Sequence, residues 1–294
     1  MDKLGQYLLA HRTQAALLAL TLATLPLLSL LAIVLIALVT LRQGWQAGLA
    51  ILIATLAPNL AVFWFAKVDV VSLAIVSSIN IVVWILAIEL RRSLSWAWTI
   101  QVGAGLGIAV VCILHLVYPE VVEWWQGHMQ VYLDQVKQVW ASVPAEKMQA
   151  FIQRAAKIAT GVQAAMVLSM GLLGLMAGRY WQARLFNPGQ LRPELHHIRL
   201  SRSFVVVLIL LALAGGIGRI EMGIDVLPII AVVLAVAGLS VVHCVAKERK
   251  ISLLWFVLFY IISSLLAVYF LVALCLIGLI DSFWDVRSKL VKKS

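Results

Sequence analysis

The stretch Gly178–Arg202, GRYWQARLFNPGQLRPELHHIRLSR, decides how the rest of this chain is read. It is the long polar break in a second half otherwise made of apolar runs, and it carries Arg179, Arg184, Arg192, Arg199 and Arg202 against one acid, Glu194. A short basic segment between apolar runs stays on the cytoplasmic side of a membrane. Fixing this loop there orients every other segment.

Outward from the loop, the runs are long and almost free of charge. Only 12% of the 294 residues are charged and 63% are hydrophobic, against about 25% charged in a soluble domain. Runs near 20 residues match a hydrocarbon core of roughly 30 Å. The expected fold is therefore an all-α, polytopic helical membrane protein in one transmembrane domain. Its eight membrane segments are Ala15–Leu41, Ala47–Ala66, Val70–Leu90, Trp96–Tyr118, Ala155–Ala177, Ser203–Ile220, Val226–Ala246 and Ile251–Ile280. Six are clear spans. The first and last are too long for one upright helix, and Pro26 near the middle of the first favours a kink or a doubling back. The first run is also too long for the apolar core of a cleavable signal.

The net charge of +10 sits mostly in short segments between or after apolar runs. That distribution is the positive-inside pattern and excludes a nucleic-acid reading. Cys112, Cys244 and Cys275 fall inside apolar runs without C-x-x-C spacing, which argues against disulfides and metal. With Gly178–Arg202 inside, Arg91-Arg92 and Lys247–Lys250 also lie inside. Lys67, the region 119–153 and the turn Arg219–Asp225 lie outside. If the first and last segments double back, both basic termini lie inside, which the charges prefer. Region 119–153 reads as extracytoplasmic interfacial helices broken near Pro144. Val121, Trp125, Met129, Tyr132, Val136, Val139 and Val143 form one face, with Trp124, Trp125 and Trp140 at headgroup level.

No H-E-x-x-H, G-x-S-x-G or P-loop occurs, so no catalytic motif points to an enzyme, and no cofactor or metal is expected. Gly103, Gly105 and Gly107 precede no strand-to-helix turn and read as helix-packing positions. The polar residues at bilayer depth carry the chemistry. Asn59 and Asn80 lie near the centres of adjacent antiparallel spans, and Pro58 leaves the Ala54 carbonyl without its helical donor. Together they suit a small polar solute; alternatively the asparagines only hold helices together. Trp84, Gln101 and Gln163 are candidates for the same cavity. Arg219, Glu221 and Asp225 read either as an outer gate or as a solvated loop.

In the loop, Asn187-Pro188-Gly189 is a turn. Pro193-Glu194 starts a short helix with Leu191, Leu195 and Ile198 on one face. Arg179, Trp181, Arg184, Arg192, Arg199 and Arg202 then serve to dock a partner or to hold anionic lipid headgroups. His196 and His197 read as solvent-facing. Ala15, Ala19 and Ala23 make a small-residue stripe for close helix packing.

The loop halves GRYWQARLFNPG and PELHHIRLSR, and the tail Asp281-Ser282-Phe283-Trp284-Asp285-Val286-Arg287, resemble the YybS-like family of uncharacterised bacterial inner-membrane proteins. That family is distantly similar in organisation to the S components of energy-coupling-factor vitamin transporters. The resemblance implies multi-pass residence in the bacterial cytoplasmic membrane and an outward-facing pocket. It also implies a membrane coupling subunit with cytoplasmic ATPases, docked through the first-helix alanines. The expected function is a solute-binding or permease component of a transporter energised by a partner. The other reading is a non-transporting scaffold or assembly factor that recruits a cytoplasmic protein through the basic loop.

Overall fold

The protein is described by a computed structural model covering residues 2–25, 27–135, 143–217 and 221–287. Among the described residues it has 14 helices and no strand. Six of them, Trp45–Ala66 (α4), Val70–Ser93 (α5), Trp96–Val117 (α6), Ala159–Phe186 (α9), Glu221–Glu248 (α12) and Ala267–Trp284 (α14), are long and apolar enough to cross a membrane. The others are Asp2–Ala10 (α1), Arg12–Thr24 (α2), Ser29–Gln43 (α3), Val121–Gln135 (α7), Ala145–Ala156 (α8), Leu191–His196 (α10), Arg202–Gly216 (α11) and Leu253–Leu265 (α13). The polytopic all-α expectation is met.

The boundaries follow local chemistry. Asp69 caps α5, its carboxylate accepting from the Ser72 amide at 3.0 Å and the Ser72 hydroxyl at 2.6 Å. Those bonds hold the Asp69 carboxyl below its ordinary pKa. Ser95 caps α6 by accepting from the Trp98 amide at 3.2 Å. α9 runs past Ala177 to Phe186, because no breaker intervenes before Asn187-Pro188-Gly189. The first third of the basic stretch is therefore helix, not loop. α4 continues through Pro58. Pro144 is the N-cap of α8. Val136, Val139 and Trp140 lie outside the described residues.

Two ends of the bundle are distinguishable by which residues meet there. At the loop end, Arg91 Nη1 donates to the Leu41 carbonyl at 2.7 Å, and Trp84 Nε1 to the Trp45 carbonyl at 3.1 Å. Arg42 sits 3.9 Å from the Phe186 ring centroid, tying α3 to the end of α9. Gln43 Nε2 donates to the Leu9 carbonyl, so the two ends of the first apolar segment lie side by side. That segment is a hairpin of α2 and α3; Pro26 lies outside the described residues. Arms of 13 and 15 residues reach about 20 and 22 Å, short of a core of roughly 30 Å. Ala15 and Ala19 are fully buried inside the chain's own core, so the alanine stripe is spent on internal packing.

The last apolar segment also folds back. α13 returns along α12, where the Tyr260 hydroxyl meets His243 Nε2 at 2.9 Å, and Leu266 alone separates it from α14. α14 then runs parallel to α12. A Cβ at Gly238 would lie 2.0 Å from the Leu274 carbonyl oxygen, and one at Gly278 2.2 Å from that of Leu234. The pairs 234/238 and 274/278 are each four apart, the spacing that lets two backbones touch. Burial of apolar surface does not drive helices together in lipid, so this close backbone contact is what holds α14. At the opposite end, a Cβ on Gly215 of α11 would meet the Gly223 carbonyl carbon of α12 at 2.3 Å.

Gly238→Val should destabilise the detergent-solubilised protein by about 1–3 kcal/mol through overpacking, read as a lower thermal unfolding midpoint. Gly105→Val is the internal control, since nothing lies within 4 Å of a Cβ there; its midpoint should match the wild type.

Candidate functional site

A cavity of about 430 Å³ opens at the end opposite the basic loop, between α5, α6, the start of α7 and α9. Its wall is mostly apolar: Val71, Ala74, Val82, Leu106, Val110 and Val167 contribute. The polar groups on it are few: Ser78, Tyr118, Thr160, Gln163 and the Trp125 indole. Trp125 Nε1 donates to Thr160 Oγ1 at 3.0 Å, which ties the first amphipathic helix to the top of α9. A site of this size, with a few convergent polar groups, suits an apolar or amphipathic small molecule.

Of the residues expected to share one cavity, only Gln163 lines this one. Asn59 Nδ2 reaches Ser77 Oγ at 3.4 Å, joining α4 to α5. Asn80 is buried on the same stripe of α5 as Ser77, Val83 and Ala87, whereas the cavity takes the stripe of Ala74, Ser78 and Val82. Trp84 is bound to the Trp45 carbonyl near the loop end. Gln101 is also at that end, where its Oε1 accepts from Ser201 Oγ at 2.7 Å and its Nε2 donates to the Ala97 carbonyl at 3.1 Å. Asn59 and Asn80 thus lie near one another off the cavity, Trp84 and Gln101 lie toward the loop end, and Gln163 alone of the five reaches the cavity. Of the glycine run, Gly103 faces Leu168 and Gly107 faces Ile229, as positions for close helix approach.

Behind the cavity lies a polar cluster in which Asp225, read from sequence as a gate or turn residue, meets His115 and Gly161, which were not expected beside it. His115 Nε2 and Asp225 Oδ2 are 2.9 Å apart, and Asp225 Oδ1 accepts the Gly161 amide at 2.6 Å. Asp225 is 1% exposed, so it belongs to the helix packing and not to a solvated turn. Gly161 is required because a Cβ there would lie 1.4 Å from the Asp225 carbonyl oxygen. The amide it presents is one of the donors that the start of α9 leaves open. Arg219 lies outside the described residues. The available signal was His115 alone in the apolar run Trp96–Tyr118, since ionisable residues at membrane depth are expensive and need partners.

At the loop end, most of the arginines turn inward. Arg179 forms a two-pronged pair with Glu194, its Nε 3.1 Å from Oε2, and Trp96 Nε1 donates to the same oxygen at 3.1 Å. Arg199 donates to the carbonyls of Asp281 at 3.1 Å and Ser282 at 3.4 Å, and pairs with Asp285 at 3.1 Å. Arg202 donates to the Phe283 carbonyl at 2.9 Å. In return, Arg287 pairs with Asp281 at 3.1 Å and donates to the carbonyls of His196 and Ile198. Loop and tail therefore clasp each other, each capping the other's backbone. The Asn187-Pro188-Gly189 turn is present, with the Gln190 amide 3.3 Å from the Asn187 carbonyl and Gly189 at φ +87°. Trp181 is held against Gly5, its Nε1 buried without a hydrogen-bond partner among the described residues. Arg184 and Arg192 line a surface cavity of about 510 Å³ beside that turn.

Arg287→Ala removes three contacts at once and leaves a buried carboxylate and two carbonyls without their donor. Amides in 195–202 and 281–287 should then exchange with solvent at least about tenfold faster, an opening cost of about 1.4 kcal/mol or more, while those of α5 and α6 are unchanged. Arg287→Lys should restore little, because an ammonium lacks the planar fork.

No curated protein and no solved structure matches the chain. A family does match, over residues 14–282, which takes in both hairpins, the outer cavity and the loop. The chain belongs to this family, described as "Predicted membrane protein (DUF2232)".

Proposed function

We propose that this multi-pass membrane protein is a solute-binding or permease component of a transporter, energised by a partner, and that its ligand is apolar or amphipathic. In this reading the loop end faces the cytoplasm of a bacterial cell, because Arg91, Arg92, the arginines of 178–202 and Lys247–Lys250 gather there. The opposite end is nearly balanced, with Asp69, Glu120, Glu123, Asp134 and Glu146 against Lys67, Lys147, Arg154 and Lys157. The observation that carries the proposal is the cavity of about 430 Å³ at the end opposite the basic loop, with its apolar wall and few polar groups. It supports a different ligand class from the polar solute suggested by Asn59 and Asn80. The organisation implied by the S-component resemblance, an outward pocket over a cytoplasmic coupling face, is compatible with this placement.

A scaffold that recruits a cytoplasmic protein through its basic loop needs those arginines on offer. Arg179, Arg199 and Arg202 are instead committed to Glu194 and to the end of α14. That commitment favours the transporter reading.

The test is to purify the protein in mild detergent and identify retained small molecules by mass spectrometry. The wild type should retain an apolar or amphipathic species. Ala164→Trp, which fills the cavity from α9, should lower its occupancy by about tenfold or more, a loss of about 1.4 kcal/mol, with the unfolding midpoint held. Equal retention by the variant, or a retained species that is small and polar, would overturn the proposal.

A further inference from the structure

Two further cavities share one mouth at the loop end. The inner one, about 430 Å³, runs between α6, α9, α10 and α12 along Ile100, Leu172, Met176, Val236 and Leu239. The outer one, about 800 Å³, lies between α12 and α13 and includes Lys247, Lys250, Leu253 and Phe256. Arg192, His196, His243 and Tyr260 line both. We infer that this mouth binds an anionic phospholipid of the loop-side leaflet, its phosphate held by Arg192, Lys247 and Lys250 and an acyl chain seated in the inner cavity.

The charge is one-sided. Among the described residues, no aspartate or glutamate lines either cavity. Arg192, Lys247 and Lys250 form no ion pair among the described residues, whereas Arg179, Arg199 and Arg287 each have a carboxylate. His196 registers the same imbalance. Burial first, and then neighbouring cations, Lys247 foremost and Arg192 among them, push its pKa below the ordinary value. His243 serves as a prop: its Nδ1 is 2.8 Å from the Leu239 carbonyl, which can only accept, so Nε2 is left to accept from the Tyr260 hydroxyl. Tyr260 is thereby fixed at the mouth, where the two cavities join.

The apolar part selects a lipid over a free anion. Inorganic phosphate would match the cations and leave the inner cavity unfilled. A zwitterionic lipid would fill the cavity and bring its own cation to a positive mouth. An anionic phospholipid answers both. α13 has no buried residue, so the outer groove opens sideways to the bilayer, and a lipid can enter without passing through water. Basic pockets between helices on the cytoplasmic side recognise anionic headgroups in this way. This site is at the opposite end of the bundle from the outer cavity, and either can fail without the other.

The test is native mass spectrometry of the full chain released from neutral detergent and titrated with phosphatidylglycerol, phosphatidylcholine or inorganic phosphate. Phosphatidylglycerol should bind at least tenfold more tightly than phosphatidylcholine. Substituting Arg192, Lys247 and Lys250 by glutamine should weaken it about fivefold per cation, while Arg12→Gln, at a basic residue remote from the mouth, leaves it unchanged. Leu239→Trp should also weaken it by filling the inner cavity without altering charge, and this arm stands if the triple variant does not fold. Equal binding of the two lipids would overturn the proposal. So would inorganic phosphate competing as well as the lipid, or unchanged binding in Leu239→Trp.

Discussion

A helix that ends near hydrocarbon leaves backbone carbonyls with little water to satisfy them. Much of the loop end of this protein is built around that constraint. α1 ends with its Leu9 carbonyl on the Gln43 amide, and α3 with its Leu41 carbonyl on Arg91. α14 ends with the carbonyls of Asp281, Ser282 and Phe283 on Arg199 and Arg202. A cation is the better cap, because it answers both the unpaired oxygens and the negative end of the helix dipole. The basic charges that orient the chain are therefore also the groups that finish its helices.

That double use divides the cations into two populations. Arg91, Arg179, Arg199, Arg202 and Arg287 are held by partners within the chain and shape the loop end. Arg192, Lys247 and Lys250 surround a mouth that carries no acid. The opposite end inverts the arrangement. There a buried acid, Asp225, is held by His115 and by the amide that opens α9, and the cavity beside it is nearly neutral. Each end thus sets a fixed polar cluster beside cavity space, basic at the mouth near Lys247 and nearly neutral beside Asp225.

The apolar runs, the basic turns and the excess length of the first and last segments were legible in the sequence, because length and charge bear directly on lipid; it leaves open whether those two segments cross once or double back. The two stretches that carried the family resemblance, the loop and the tail from Asp281 to Arg287, turn out to be the two halves of one clasp. Nothing in their spacing showed it, since Arg199 and Asp281 are joined only by the packing of α14 on α12. The site was less legible for the same reason. Asn59 and Asn80 sit at matching depth on adjacent spans, but helical rotation puts Asn80 on a face of α5 turned away from the cavity. Rotation about a helix axis cannot be read from hydropathy in a span that is apolar all round. Asp225 was misplaced because a boundary was drawn one turn late, which left a buried carboxylate in a supposed turn.

The two hairpins at the ends of the chain have a consequence for how it reaches the membrane. No charged residue lies between Arg12 and Arg42, and none between Lys250 and Asp281. Neither hairpin has to carry a charge to the far face, so each can slide into the bundle from the side on which its ends remain. The five helices between them that are long and apolar enough to cross are α4, α5, α6, α9 and α12, and crossing helices require their far-side loops to be translocated during synthesis. The hairpins do not, and the C-terminal one can be seated last, when Arg199 and Arg202 are already in place to receive the end of α14.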